Sequence, residues 1–161
     1  PLAYLDGSST GVDDWSCITD DEFIFSAGGV YEYKTNGSTR NDGYFGGQNG
    51  CITDTEIAAS GNGAAFGSGI HSWAFTAASG NNRAKITLTN GSGRAAFIGF
   101  YKGYFGGENI TPSDPPNGGN TTNTYEVMGY ANNGSKEFLF LTVDVSATHN
   151  GISSWSVVLE R

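Results

Sequence analysis

Seven Asn-Gly dipeptides, beginning at residues 36, 49, 62, 90, 117, 133 and 150, punctuate this chain of 161 residues and limit what it can become. Asn followed by Gly accepts the positive φ values that two-residue hairpin turns demand, so the segments between them are set up as short antiparallel strands. Their side chains agree. Phe23-Ile24-Phe25, the turn Ala27-Gly28-Gly29 and the returning Val30-Tyr31-Glu32-Tyr33 read as a hairpin with Phe23, Phe25, Tyr31 and Tyr33 at alternating positions, closed off by Asn36-Gly37. Further strand segments are 72–76, 84–89, 95–101, 124–130, 138–145 and 154–160. Asn90-Gly91 and Asn133-Gly134 lie between such segments, which predicts an antiparallel meander in the second half. No window of about eleven residues carries a helical stripe, and the small-residue segment 56–66 holds one turn at most. The expected fold is all-β, either an antiparallel, jelly-roll-like β-sandwich or a lipocalin-like closed barrel of eight to nine short strands.

Alternation separates core from surface along two of these strands. Ile86 and Leu88 oppose Lys85, Thr87 and Thr89, while Trp155, Val157 and Leu159 oppose Ser154, Ser156 and Glu160. Segment 138–145 is apolar on both faces and reads as a central strand covered on each side. Trp73 and Trp155, inside strands, belong to the core.

The length suits one domain, 1–161, with a core of its own, and 25 glycines with 13% aromatic and 15% charged residues fit tight turns between strands. A net charge of −8 with the eight basic residues scattered argues against nucleic acid or an anionic membrane as partner, and disfavours a sulfated glycan. No run approaches the length of an apolar membrane span, so no membrane insertion is expected. Beginning at Pro1 without a signal segment, the chain reads as a module excised from a longer protein that is secreted or held at the cell surface. Cys17 and Cys51 suit one bridge, worth roughly 3 to 4 kcal/mol by loop closure in an oxidising compartment, or two buried thiols. The absence of C-x-x-C removes support for a zinc or redox motif.

One motif occurs twice. Gly43-Tyr44-Phe45-Gly46-Gly47-Gln48-Asn49 and Gly103-Tyr104-Phe105-Gly106-Gly107-Glu108-Asn109 match at six of seven positions. An aromatic pair before Gly-Gly reads as a presented loop, and flat faces beside amide and carboxylate groups suit a polar, flat ligand such as a sugar. Two such loops could equally cap two similar hairpins. In the binding reading Tyr44, Tyr104 and Trp15, the last in a loop among acids, are stacking platforms. Gln48, Asn49, Glu108, Asn109 and Arg40 would hydrogen-bond hydroxyls around them. The irregular stretch 109–123, with Pro112, Pro115 and Pro116, has a length that is usually functional or mobile.

Catalytic patterns are weaker. No strand motif sets two carboxylates on one face as a glycosidase needs, and Asp20-Asp21-Glu22 opens a strand. His71 and His149 each stand alone, without zinc-hydrolase spacing, and no Gly-x-Ser-x-Gly elbow occurs, although a triad assembled across the fold stays open. No cofactor is implied. A structural calcium could draw on Asp13, Asp14, Asp20 and Asp21, or on Asp114 with carbonyls of the Pro-rich loop, without an EF-hand pattern. Asn-x-Ser/Thr occurs at Asn36, Asn90, Asn109, Asn120 and Asn133, and the three Asn-Gly-Ser cases are explained by turn chemistry.

The run 17–25, then Gly28-Gly29-Val30-Tyr31-Glu32-Tyr33, Asn36-Gly37 and Cys51, resembles the opening of a family of small β domains. These are appended to secreted polysaccharide-degrading enzymes and to surface glycan-binding proteins of polysaccharide-utilising bacteria. Ile86-Thr87-Leu88-Thr89, Phe97-Ile98-Gly99-Phe100, Tyr125-Glu126-Val127 and the closing 154–159 are similar to that family's final strands. The tryptophan of its first strand is replaced here by Tyr4 or missing. The resemblance implies an all-β fold and a glycan-binding role, without assigning ligand residues. The expected function is a non-catalytic carbohydrate-binding module that holds an attached catalytic domain on a neutral glucan or algal galactan. A polysaccharide hydrolase or lyase, and a structural or adhesive spacer, are the alternatives.

Overall fold

The computed structural model describes residues 14–161, so Tyr4 and Asp13 lie outside the described residues. Its strands are β1 (Glu22–Ser26), β2 (Val30–Lys34), β3 (Ser38–Asn41), β4 (Gly50–Thr53), β5 (Gly69–Thr76), β6 (Lys85–Thr89), β7 (Gly103–Tyr104), β8 (Gly107–Glu108), β9 (Thr122–Asn132), β10 (Glu137–Asp144) and β11 (Ser154–Glu160). The protein is all-β. Seven strands form one curled antiparallel sheet in the order β1-β2-β5-β6-β9-β10-β11, with β1 and β11 as edges that do not pair with each other. The pairs β3-β4 and β7-β8 make two small sheets.

The first hairpin forms as its glycines and alternation dictate. Phe23 lies opposite Tyr33 and Phe25 opposite Tyr31, their rings 5.2 and 4.9 Å apart, across a turn in which Gly28 and Gly29 take φ of 87° and 81°. Strands β9, β10 and β11 make the meander expected around Asn133-Gly134. In β9 the pairing skips Met128, a bulge that bends the strand.

Segment 95–101 departs from the sequence reading: it is no strand. Ala95, Ala96, Phe97, Ile98, Phe100 and Tyr101 are all buried, in irregular backbone that fills the concave face of the sheet. Against it pack Tyr31, Tyr33, Ile86, Leu88, Tyr125, Leu141, Val143 and Val157 from the strands, and Phe66 and Ile57 from the far side. Buried irregular backbone must find hydrogen bonds outside a ladder, and side chains provide them. Ala96 N–H donates to Asn90 Oδ1 (2.9 Å) and Ile98 N–H to Tyr125 Oη (3.0 Å), while Tyr31 Oη donates to the Phe97 carbonyl. Asn117 Nδ2 reaches the Ala96 carbonyl at 3.0 Å. Asn90-Gly91 is therefore no hairpin turn. Asn90 ties the start of the filler to 120, and Gly91 lies so near β5 that a Cβ would fall 2.0 Å from the Ile70 carbonyl oxygen.

Two further readings are corrected. Filling on one face leaves β10 uncovered on the other, where Phe140 is 38% exposed, so it is not a strand buried on both sides. A helix, α1 (Asp54–Ala59), then a 3₁₀ helix Gly61–Phe66, occupy what was read as one turn at most. Thr53 and Glu56 form a capping box at its start, with Thr53 N–H donating to Glu56 Oε2 at 2.7 Å. That T-x-x-E spacing was present in the sequence. The disulfide Cys17–Cys51 ties the 3₁₀ turn Ser16–Ile18 to β4.

Gly99 has φ of 79° and sits where a Cβ would come 2.4 Å from Val157 Cγ1. Gly99→Ala is expected to lower unfolding free energy by about 2 to 4 kcal/mol, from left-handed strain and displacement of the strand beneath. Urea denaturation of the two proteins measures it.

Candidate functional site

The two copies of the repeated motif fold differently although their sequences nearly coincide. In the first, buried Asn41 organises the turn: its Oδ1 accepts from Gly43 N–H (2.9 Å) and Phe45 N–H (3.3 Å), and its Nδ2 donates to the carbonyls of Gly46 (2.7 Å) and Gln48 (2.9 Å). This turn drives Tyr44 inward. Its ring is 0% exposed, set against Phe66 and Tyr101, and its hydroxyl donates to the Asp114 carbonyl at 2.6 Å. In the second copy β7 and β8 pair as a hairpin, Gly103 opposite Glu108 and Tyr104 opposite Gly107, with Phe105 at its tip. Phe105 N–H donates to Asn123 Oδ1 (3.2 Å), and Gly103 packs on Trp155, where a Cβ would come 2.9 Å from the ring.

The predicted ligand residues are accordingly dispersed. Tyr44 cannot offer a face to solvent. Trp15 is 5% and Arg40 1% exposed, because the guanidinium lies 4.4 Å from the indole centroid and Nη1 donates to the Asp14 carbonyl. Both belong to the core rather than to an exposed platform. Asn109 is buried and bound to the Tyr101 carbonyl and to Asn117, fixing the Pro-rich loop. Asn62 Nδ2, donating to the carbonyls of Pro112 and Asp114, ties down that loop although residues 110–115 stay exposed. Tyr104 is half-buried over Gly107 and Gly118, neither of which has room for a Cβ beneath the phenol. Glu108 is half-buried and accepts from Trp155 Nε1 at 3.1 Å. Only Gln48 and Asn49 of the eight are exposed.

Each copy nevertheless borders a depression. The first, about 650 Å³, is lined by Phe45, Gly46, Gly47, Gln48 and Asn49 together with Asp14, Glu56 and Ser60. Its two carboxylates are engaged: hydrogen bonds from Ser16 hold Asp14, and those from Thr53 hold Glu56, below the ordinary carboxylate range. Neither is poised to protonate a leaving group, which needs an acid raised in pKa.

The second depression, about 420 Å³, is lined by Phe105, Gly106, Asn120, Thr122, Thr124, Ala147 and His149. Phe105 is 42% exposed and lies parallel to His149, ring centroids 3.6 Å apart at 28°. His149 is placed by its loop. Asp144 Oδ1 accepts from Ser146 N–H (2.8 Å) and Oδ2 from Gly151 N–H (2.9 Å), and His149 N–H reaches the Ser146 carbonyl with φ of 53°. Those bonds, that of the Ser146 hydroxyl foremost, lower the Asp144 pKa. Gly106, at φ 113°, leaves space beside the imidazole that a Cβ would close to 3.0 Å. The result is a rigid, partly exposed pair of aromatic rings beside an amide and two hydroxyls. Sequence reasoning passed over both rings, reading Phe105 as the partner of Tyr104 and His149 as isolated. The signal available was the repeat itself.

Among the described residues Asp21 is the carboxyl with a strongly raised pKa, pushed up to about 7 by burial. Its Oδ2 accepts from Tyr33 Oη (2.8 Å) and Thr39 Oγ1 (3.0 Å), while Oδ1 is buried without a hydrogen-bond partner, and it lines neither depression. Among the described residues no group of three or more His, Cys, Asp and Glu is gathered to hold a metal ion, and no helix is long and apolar enough to cross a membrane. Comparison with family models, with curated proteins and with solved structures finds no match.

A buried carboxyl that resists ionising binds a proton in the folded state that the unfolded chain has lost, so stability falls as pH rises from about 4 to about 7. Asp21→Asn removes the ionisation. Thermal melts at pH 5 and pH 8 should show a larger loss in the parent than in the variant, on the order of 2 to 4 kcal/mol. Equal losses would place the proton elsewhere.

Proposed function

We propose that this chain is a non-catalytic carbohydrate-binding domain whose site is the Phe105 depression. The single observation that carries the reading is the exposed Phe105 ring, backed by His149 and bordered by Asn120, Thr122 and Thr124. A flat apolar face binds the axial C–H face of a hexose, while neighbouring amide and hydroxyl groups exchange hydrogen bonds with its equatorial hydroxyls. The acids bordering the first depression are held ionised, which favours binding over hydrolysis. The net charge of −8 favours a neutral glucan or galactan over a polyanion. One stacked ring contributes on the order of 1 kcal/mol, so affinity is weak and useful chiefly when the domain tethers a catalytic partner to its substrate. The disulfide fits a secreted or surface location, where such a partner would work.

Affinity electrophoresis through gels containing plant, algal or fungal polysaccharides tests the reading. At least one neutral polysaccharide is expected to retard the protein without release of reducing ends. Phe105→Ala should weaken that retardation roughly five- to tenfold. Tyr44→Phe, which removes a buried hydroxyl, should leave it unchanged. Release of sugar would favour a hydrolase or lyase, and indifference to every glycan would leave a spacer domain.

A further inference from the structure

We propose that the uncharged hydroxyl ladder on the outer face of β9, β6 and β5 continues the Phe105 depression into a track for one extended strand of neutral polysaccharide. The inference rests on the glycan-binding reading of that depression and adds the surface along which an extended ligand would lie. Asn123 and Tyr125 are buried on the inner face of β9, so alternation turns Thr122 and Thr124, both lining the depression, outward. Register then sets Thr87 of β6 opposite Thr124 and Thr89 opposite Thr122, with Ala74 and Ser72 of β5 next in line. The Thr87 and Thr124 hydroxyls are 3.1 Å apart and hydrogen-bonded, which holds the ladder in place.

Adjacent strands are about 4.8 Å apart, so the ladder runs about 10 Å beyond the depression, more than one sugar ring can cover. A ligand bound only at its end would leave the ladder unused. Its side chains carry no charge, and the two cations beside it, Arg83 and Lys85, both lie against the Glu126 carboxylate, at 3.9 and 4.0 Å. Hydroxyls both donate and accept, which matches the hydroxyls of a neutral polyol. A carboxylated or sulfated strand would lose hydration along the ladder without meeting a cation among its side chains.

Titration calorimetry with neutral β-glucan and agarose-derived oligosaccharides, from disaccharide to hexasaccharide, and with a polyuronate of similar length, tests the track. In the parent, affinity should climb about tenfold from disaccharide to hexasaccharide. Thr89→Val/Ser72→Ala, which leaves the Thr87–Thr124 bond intact, should keep the disaccharide affinity and lose that gain. Thr89→Val alone, which spares the Thr87–Thr124 bond, should lose part of it. Melting curves check that each variant folds. An affinity independent of length, a gain that survives both variants, or polyuronate binding as tight as the neutral hexasaccharide would overturn the track. If binding still depends on Phe105 in those cases, the glycan-binding reading stands without it. If no oligosaccharide binds at any length, that reading falls as well.

Discussion

Irregular backbone buried against a sheet has no ladder to satisfy it, and the whole domain is arranged around meeting that demand for segment 95–101. Tyr31, Asn123 and Tyr125 reach in from the strands, while Asn90 and Asn117 reach in from the connections, all toward its amides and carbonyls. Apart from the partly exposed Asn90, each of these side chains has left water for the interior, so an unmet partner would cost more than an ordinary exposed hydrogen bond returns. The network thereby couples parts distant in sequence. Asn117 bonds both the filler and Asn109, and Asn109 holds the Tyr101 carbonyl, so the Pro-rich loop and the filler are one packed unit.

This coupling explains why one sequence motif takes two shapes. The first copy follows Asn41, whose side chain bonds four backbone groups of the turn and leaves Tyr44 nowhere to go but inward. The second copy has Tyr101 where the first has Asn41, and its backbone is met instead by Asn123 and by its own two-stranded pairing. Glu108 in place of Gln48 completes the difference by accepting from the Trp155 indole. Identical Tyr-Phe-Gly-Gly letters thus bury one tyrosine wholly and lift one phenylalanine into solvent. Local propensity permits both shapes, and tertiary hydrogen bonds select between them.

What the sequence revealed follows from the range of the forces involved. The β1-β2 hairpin and the β9-β10-β11 meander are local, set by glycine turns and alternation, and both were legible. Segment 95–101 reads as a strand because Ala95 to Tyr101 is apolar throughout; its true state depends on side chains that lie as far away as Tyr31. The α1 helix was legible through Thr53 and Glu56, but six residues are too few for an apolar stripe to emerge. Trp15 and Arg40 looked like surface groups because one sits among acids and the other is charged. Each buries the other, a pairing no one-dimensional pattern encodes.

The candidate site inherits its rigidity from the same source. Phe105 sits on a hairpin of only two pairs, which would not persist alone, yet its amide is bonded to Asn123, a member of the buried network. On the other side of the depression, His149 is held at positive φ by a loop closed on Asp144, at the end of β10. Gly106 N–H also reaches the Asp144 carbonyl at 3.4 Å, so hairpin tip and loop are tied at one residue. Two rings from opposite sides are therefore stacked at 28° without any ligand, and a ligand bound there as proposed would have little left to order. A weak platform on a mobile loop would lose most of its stacking energy to immobilisation. In the proposed site Phe105 would avoid that loss, because its backbone is already tied to the core through Asn123.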